Sequence, residues 1–330
     1  MDIATKSGAS RKPYHERLYD AFFVNEYGKI ESLRASRYNT CFSVVLVSVE
    51  GGGADAEGSG WHEFFSKLAS RVVESIRNCD VAGLADERRI LVILPEADHF
   101  GSLMAVRKLS RSVESLSSGT PFSVNLTQAT FPRDGKGFGE LVGAATAKME
   151  LQKESLWEKQ GLKDKLFWEI MGELTSLAPI GHVNSCFEAG GDRAITEFFI
   201  DQLDELIVKE ISRTPQKRGI LYFSSKKISQ RLPLVKNLNA AGAFSTRVFL
   251  VGEPEDSTSE IRTATPLILD DPRLREIFFT FYLNEGSGYA LVCKENWGAT
   301  YSCFHTADEH LVEGLITKFQ SEYSLQEQLG

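Results

Sequence analysis

The sequence predicts an α/β protein of two domains, and three observations carry that prediction. The chain has 330 residues, more than one hydrophobic core usually organises. Short β-branched runs alternate with stretches of helical periodicity along its length. A proline and a glycine, Pro179 and Gly181, then interrupt the pattern before a second set of alternating elements begins. In order, a helix is predicted over Glu16 to Tyr38, with an apolar stripe at Leu18, Phe22, Tyr27, Ile30 and Leu33. CFSVVLVSVE, from Cys41 to Glu50, is apolar on both alternating faces and reads as a central strand, closed by the flexible loop GGGADAEGSG. Trp61 to Asn78 places Phe64, Phe65, Leu68, Val72, Val73 and Ile76 at helical spacing. ILVILP, Ile90 to Pro95, is a buried strand stopped by its proline. A helix (His99 to Leu116), a strand (Phe122 to Phe131), a PRDG turn and a helix from Phe138 complete an α-β-α-β-α-β-α order.

Leu151 to Leu177 reads as an amphipathic connecting helix, with Leu162, Leu166, Ile170, Leu174 and Leu177 on one stripe and Gly161 interrupting it. Beyond the break come a helix from Ala194 to Ile211, strand RGILYF, a helix from Leu234 to Ala241 and strand RVFLV. TPLILDD, a turn at PRLREI, strands FFTFYL, YALVCKE and YSCFH, and a helix from Asp308 to Tyr323 follow. The expected division is a tail over 1–15, a domain over 16–155, a connecting helix over 156–180 and a second domain over 181–330.

Lys+Arg 37 against Asp+Glu 45 leaves a formal charge of -8, which argues against a nucleic-acid coat or a binder of anionic membranes. No run reaches the roughly 18–20 apolar residues of a membrane span, and the first residues lack the apolar middle of a secretory signal. A cytoplasmic protein is expected. The five cysteines are odd in number and widely spaced, with no CxxC pair, so neither a disulfide framework nor a zinc site is expected. Cys41, Cys293 and Cys303 have apolar or aromatic neighbours and read as reduced core residues.

Three segments carry a resemblance to a known family: LRASRYNTCFSVVLVSVE, RNCDVAGLADERRILVILPEAD and FSVNLTQATFPRDG. In this order they make residues 16–155 resemble the GGDEF domain of diguanylate cyclases. The resemblance implies a central, largely antiparallel sheet flanked by helices, like the palm of nucleotidyl cyclases. In the active family, acidic positions and a Gly-Gly-acid-Glu turn hold Mg²⁺ and the GTP triphosphate. Here the first metal position is Ser48. The signature reads Asp86, Glu87, Arg88, Arg89, Ile90, so acids stand for the glycines and arginines for the acids. Arginine does not ligate Mg²⁺, and side chains in place of both glycines crowd the turn. The family's guanine-contacting segment after the first strand is replaced by the shorter glycine-rich loop. Glu50 and Lys153 match family positions but do not by themselves make a cyclase. The resemblance therefore implies a degenerate, non-enzymatic domain with no cofactor.

Arg77-Asn78-Cys79-Asp80 lies at the family's RxxD position, with the family's spacing to the signature. In active cyclases that motif is the inhibitory site for the product cyclic di-GMP. An arginine fork suits guanine O6/N7 or a phosphate oxygen, and a carboxylate accepts from guanine N–H groups. Arg77 and Asp80 are thus the candidate ligand residues. The structural alternative is an arginine favoured by a helix C-terminus followed by a turn aspartate. Arg88 and Arg89 could join Arg71 in a phosphate patch or lie solvated beside Asp86 and Glu87. The sequence Ala189-Gly190-Gly191-Asp192-Arg193 imitates the signature but precedes a helix, which makes Asp192 an N-cap.

RVFLVGEPE, TPLILDDPRLREIFF, GYALVCKE and the closing helix after YSCFH make residues 190–325 similar to the DICT domain. This resemblance implies a sensory module and transfers no catalytic residue. Gly252-Glu253-Pro254 and Asp270-Asp271-Pro272 are read as turns in preference to a ligand edge. Phe278, Phe279, Phe281, Tyr282, Tyr289 and Trp297 are read as core. The expected function is cyclic di-GMP reception coupled to this second domain. Its partners would be the dinucleotide, a signalling protein and, through the connecting helix, a second copy in a homodimer. The alternative is an interaction adaptor with no nucleotide ligand.

Overall fold

The computed structural model describes residues 14–52, 59–176, 194–255, 261–296 and 300–325. Most of the tail, the centre of the glycine-rich loop, the Pro179–Gly181 break, the imitation signature around Asp192, and Trp297 lie outside the described residues. Contacts divide the chain into two units, one through Glu150 and one from Leu151, whereas the sequence put the break near Pro179.

The first unit runs β1 (Leu18–Tyr19), α1 (Ala21–Tyr38), β2 (Phe42–Gly51), α2 (Ser59–Ser75), β3 (Val81–Leu84), β4 (Arg89–Pro95), α3 (His99–Ser117), β5 (Phe122–Phe131) and α4 (Phe138–Glu154). Its sheet has the order β1-β3-β4-β2-β5 and is antiparallel except for the two-residue β1–β3 pairing. The expected palm-like architecture is therefore present. β2 is buried on both faces. Val45, Val47 and Val49 pack with Phe65, Leu68 and Val72 of α2 and Leu109 and Val113 of α3. Val44 and Leu46 pack with Val24 of α1 and Leu141, Ala145 and Met149 of α4. Two helices open on aspartate caps: Asp20 accepts from Phe23 N at 2.8 Å and Asp98 from Gly101 N at 2.7 Å.

α1 does not bury the stripe expected of it. Phe22, Ile30 and Leu33 are exposed, at 77%, 63% and 73%. The buried face is Val24, Gly28, Glu31, Ser32 and Ala35. Close packing decides this: a Cβ on Gly28 would lie 2.2 Å from the Phe138 ring, so the helix approaches through its small residues. β1 and β3 were not foreseen, because two- and four-residue strands carry too little periodicity to read.

The second unit begins with α5 (Leu156–Lys159), a 3-10 turn (Leu162–Asp164) and α6 (Phe167–Ser176). The continuous connecting helix expected here is broken. Ser155 caps α5, and Gly161 takes the left-handed conformation at φ 59°. Leu166 is exposed, while Leu162, Ile170 and Leu174 are fully buried. Phe167 packs on Phe279, Phe281 and Phe319 at ring distances of 5.8, 6.3 and 5.4 Å, so this segment belongs to the core of the second unit.

β6 (Ala194–Thr196), α7 (Glu197–Arg213), β7 (Gly219–Ile228), α8 (Pro233–Ala240), β8 (Thr246–Pro254) and β9 (Thr265–Ile268) follow. Ala194 thus opens a short strand, not the helix predicted there. β10 (Ile277–Asn284), β11 (Gly288–Asn296), β12 (Thr300–Thr306) and α9 (Glu309–Glu322) complete a seven-stranded sheet of order β6-β12-β11-β10-β7-β8-β9. β7, β8 and β9 are parallel and the other pairings antiparallel. Gly252 sits at φ +152° where a Cβ would meet the Ser225 carbonyl oxygen at 1.9 Å, which fixes glycine beside the β7 irregularity.

One cysteine expectation is corrected. Cys293 and Cys303 are bonded as a disulfide, with Cα atoms 4.2 Å apart. They are direct partners in the β11–β12 register, ten residues apart in sequence, and the reversal of the chain between the strands brings them face to face. Cys41 and Cys79 are not in a disulfide.

Phe167→Ala removes the ring that three buried aromatics surround. It should lower unfolding stability by about 3–5 kcal/mol in denaturant titration. A change below about 1 kcal/mol would contradict this packing.

Candidate functional site

The strand β3 joins the two candidate segments. At its start the chain leaves α2 at Ser75, two residues before Arg77, so the RxxD residues form the turn after the helix and not its last turn. Asp80 folds back over that turn. Its carboxylate accepts from Arg77 N at 2.8 Å and lies 3.4 Å from Arg77 Nε, while Asp80 N donates to Arg77 O at 3.1 Å. The Asp80 side chain is 2% exposed and that of Arg77 59%. The structure thus brings the two residues together as a clasp with a buried acid and an outward arginine. α1 supplies its surroundings: burial, then Glu31, raises the Tyr27 phenol, with a smaller contribution from Asp80.

At the far end of β3, residues 85–88 connect it to β4. Ala85 N donates to Arg89 O at 2.8 Å, which closes the turn. Asp86 holds Arg88 N at 2.8 Å and Arg89 Nε at 2.5 Å. The Arg88 guanidinium lies over the Trp61 ring at 5.0 Å and donates to Gly51 O at 3.2 Å. The β2–β4 register sets Ser48 opposite Arg89. Arg88 therefore lies on Trp61 and Arg89 is bound by Asp86. Glu87 stands at the turn, Glu50 sits near the end of β2 opposite Ser123, and Lys153 lies in the last turn of α4. Among the described residues no three His, Cys, Asp or Glu side chains gather as a metal-binding group.

Two polar groups escaped the sequence reading. In the first unit His99, 4% exposed, has Nδ1 2.7 Å from Arg133 Nη1 and 3.2 Å from Gln128 Nε2. Burial, then the charges of Arg133 and Lys148, lowers it to about 3, so it stays neutral and accepts from the guanidinium. In the second unit Asp204 on α7 is buried and accepts from Thr280 Oγ1 at 3.0 Å. Burial pushes it up to about 7, against the opposing Thr280 hydrogen bond. Isolated residues of this kind leave no spacing signal.

The turn role expected of Asp271 and Pro272 holds, whereas Gly252, Glu253 and Pro254, read as a turn, lie within β8 and pair with β7 and β9. Asp271 caps the 3-10 turn Pro272–Arg275, binds the Arg273 guanidinium at 2.6 Å and accepts from Tyr323 Oη at 2.6 Å. Arg273 holds its carboxyl down to about 2. Glu253 takes Arg275 at 2.6 Å and Lys227 at 3.3 Å.

No protein-family model matches the chain, and no curated protein matches it in sequence. Solved structures similar to it include the GGDEF domain of PA1120 (YfiN or TpbB) from Pseudomonas aeruginosa, at 17% identity and TM-score 0.36, covering 43% of this chain and 91% of that one. The diguanylate cyclase SiaD in complex with its activator SiaC, from the same organism, gives 18% and 0.38 over 42% of this chain and 56% of that one. The GGDEF domain of DgcB from Caulobacter crescentus in complex with c-di-GMP gives 12% and 0.38 over 46% and 92%. No helix among the described residues is long and apolar enough to cross a membrane.

The titration of Asp204 has a definite sign. Its folded-state value lies above the unfolded value of about 3.9, so folding favours the neutral acid. That stability is fully present below about pH 4 and is lost as pH rises through about 7. Asp204→Asn should flatten this decline in unfolding curves measured from pH 4 to 8. An unchanged slope would contradict the assignment.

Proposed function

We propose that the first unit is a diguanylate-cyclase-like domain without cyclase chemistry that serves as a receptor for cyclic di-GMP through Arg77 and Asp80. The observation that carries this reading is the clasp itself. The backbone contact at 2.8 Å holds the acid in place, while the guanidinium is exposed and its 3.4 Å contact is at the long limit of a hydrogen bond. A ligand can take the Arg77 fork at little loss, leaving Asp80 anchored to the turn. Arg77 would engage guanine O6/N7 or a phosphate oxygen, and Asp80 would orient it and accept from a guanine N–H as the clasp opens.

The residues at the β3–β4 turn do not supply cyclase chemistry. Phosphoryl transfer needs metal and phosphate charge neutralised at the β3–β4 turn. That turn is closed by Asp86 on Arg89, Arg88 is committed to Trp61, and Ser48 offers a hydroxyl where a carboxylate is required. The second unit would be a DICT-like sensory module whose state follows occupancy of the first.

A second reading is an interaction adaptor with no nucleotide ligand. The exposed apolar face of α1, Phe22, Ile30 and Leu33, favours it, since contiguous exposed apolar side chains mark docking or dimer surfaces.

Calorimetric titration of cyclic di-GMP into the full chain, with Arg77→Ala alongside, separates the readings. The receptor predicts micromolar or tighter binding, weakened at least about tenfold in the variant, and no cyclic di-GMP formed from GTP and Mg²⁺. Absence of binding by the wild type would overturn it and leave the adaptor.

A further inference from the structure

Cys293 and Cys303 lie directly opposite each other in the β11–β12 register and are joined as a disulfide, ten residues apart in sequence. The bond is not what aligns the strands. Seven consecutive pairs, from Ala290 with Thr306 to Asn296 with Thr300, set the register on both sides of it. A cross-link between residues so close in sequence also removes little freedom from the unfolded chain. The hairpin therefore keeps its alignment with the two cysteines as thiols.

The place of the pair in the sheet suits a bond that opens and closes. With Leu291, the two cysteines form a small buried cluster, covered by Ile200 and Leu203 of α7 and by Tyr289 and Tyr301. The larger core around Leu221, Val248 and Leu250 is distinct from it. β12 lies one strand from the sheet margin, and β6 pairs with it at Thr300, Tyr301 and Ser302, short of Cys303. Both cysteines are 1% exposed, so a thiol reaches them through local opening of the hairpin. A small satellite cluster near a sheet margin opens at less cost than a central core.

α7 registers the state of the pair. A disulfide holds its sulfurs at bonded distance, whereas two thiols need van der Waals separation. Reduction therefore widens the cluster and presses on Ile200 and Leu203, because a close-packed interior has no spare volume. Leu203 adjoins Asp204, whose carboxyl accepts from Thr280 Oγ1 at 3.0 Å and ties α7 to β10.

We propose that Cys293 and Cys303 form a reversible thiol–disulfide switch whose reductant is a low-molecular-weight thiol and whose output is the packing of α7. A thiolate attacks one sulfur of the pair, breaking the S–S bond and forming a mixed disulfide, while the other cysteine leaves as a thiolate and takes a proton. A second thiolate attacks the small-molecule sulfur and releases the first cysteine, which is protonated in turn. Two electrons and two protons thus reach the pair, and the small thiol leaves as its disulfide. Oxidation by that disulfide runs the same steps in reverse. This input is separate from Arg77 and Asp80 and does not rest on nucleotide binding.

The test equilibrates the full chain in mixtures of reduced glutathione and glutathione disulfide, reads each cysteine by differential alkylation and peptide mapping, and measures hydrogen exchange on the same samples. The pair should pass from disulfide to thiols as the mixture is made reducing, and α7 amides should exchange at least about tenfold faster in the thiol form. Cys293→Ala/Cys303→Ala should leave α7 exchange insensitive to glutathione. A pair that stays thiol in excess glutathione disulfide, or stays bonded in about 10 mM reduced glutathione, would overturn the proposal without recourse to any variant. Equal α7 exchange in the two forms would overturn it too. So would exchange that rises throughout the second unit on reduction, which marks a structural bond.

Discussion

Burial of β2 on both faces is the constraint from which the first unit follows. Eight consecutive side chains from Phe42 to Val49 are out of solvent, so helices must cover both sides of the strand. The valines turned one way need α2 and α3, and those turned the other way need α1 and α4. A one-residue slip would exchange the two sets, which pins the register with β4 and β5. That register sets Ser48 opposite Arg89 and Asn125, and thereby places the β3–β4 turn at the end of the sheet. The chemistry of the turn is then a matter of side chains alone. Asp86 closes on Arg89 and Arg88 lies on Trp61.

The long, one-sided patterns were legible in the sequence. The strand Phe122–Phe131 and the helices that begin at His99 and Phe138 stand where periodicity put them, because each carries enough apolar residues to define a face. What escaped depends on tertiary contact. α1 turns its small residues inward because the Phe138 ring leaves no room for a Cβ at Gly28, and three large apolar side chains are left outside. Apolar spacing alone read that helix backwards. The segment after Glu154 has helical composition, but Ser155 and Gly161 divide it and Phe167 draws it into the second core. Cys293 and Cys303 looked like separate core thiols until the hairpin aligned them.

The candidate site shows the same division. The spacing from Arg77 to Asp80 identified the pair, and the structure brings them together. Spacing said nothing of which side chain would be buried or that the turn would be closed by Asp80 against the Arg77 N–H. It also gave no sign of His99 or Asp204, single residues whose character comes from their depth among neighbours distant in sequence. In the second unit Asp271 does structural work: it ties Arg273 to Tyr323, and Tyr323 accepts from Trp168 Nε1 at 2.9 Å.

The central claim is that the turn after α2 is a dinucleotide receptor, and backbone amide chemical shifts of the full chain test it most directly as cyclic di-GMP is added. The account predicts saturable shifts largest at Arg77 to Asp80, since the Arg77 N–H and its partner carboxylate sit at the opening of the clasp. Shifts confined to other residues, or none at saturating nucleotide, would contradict it.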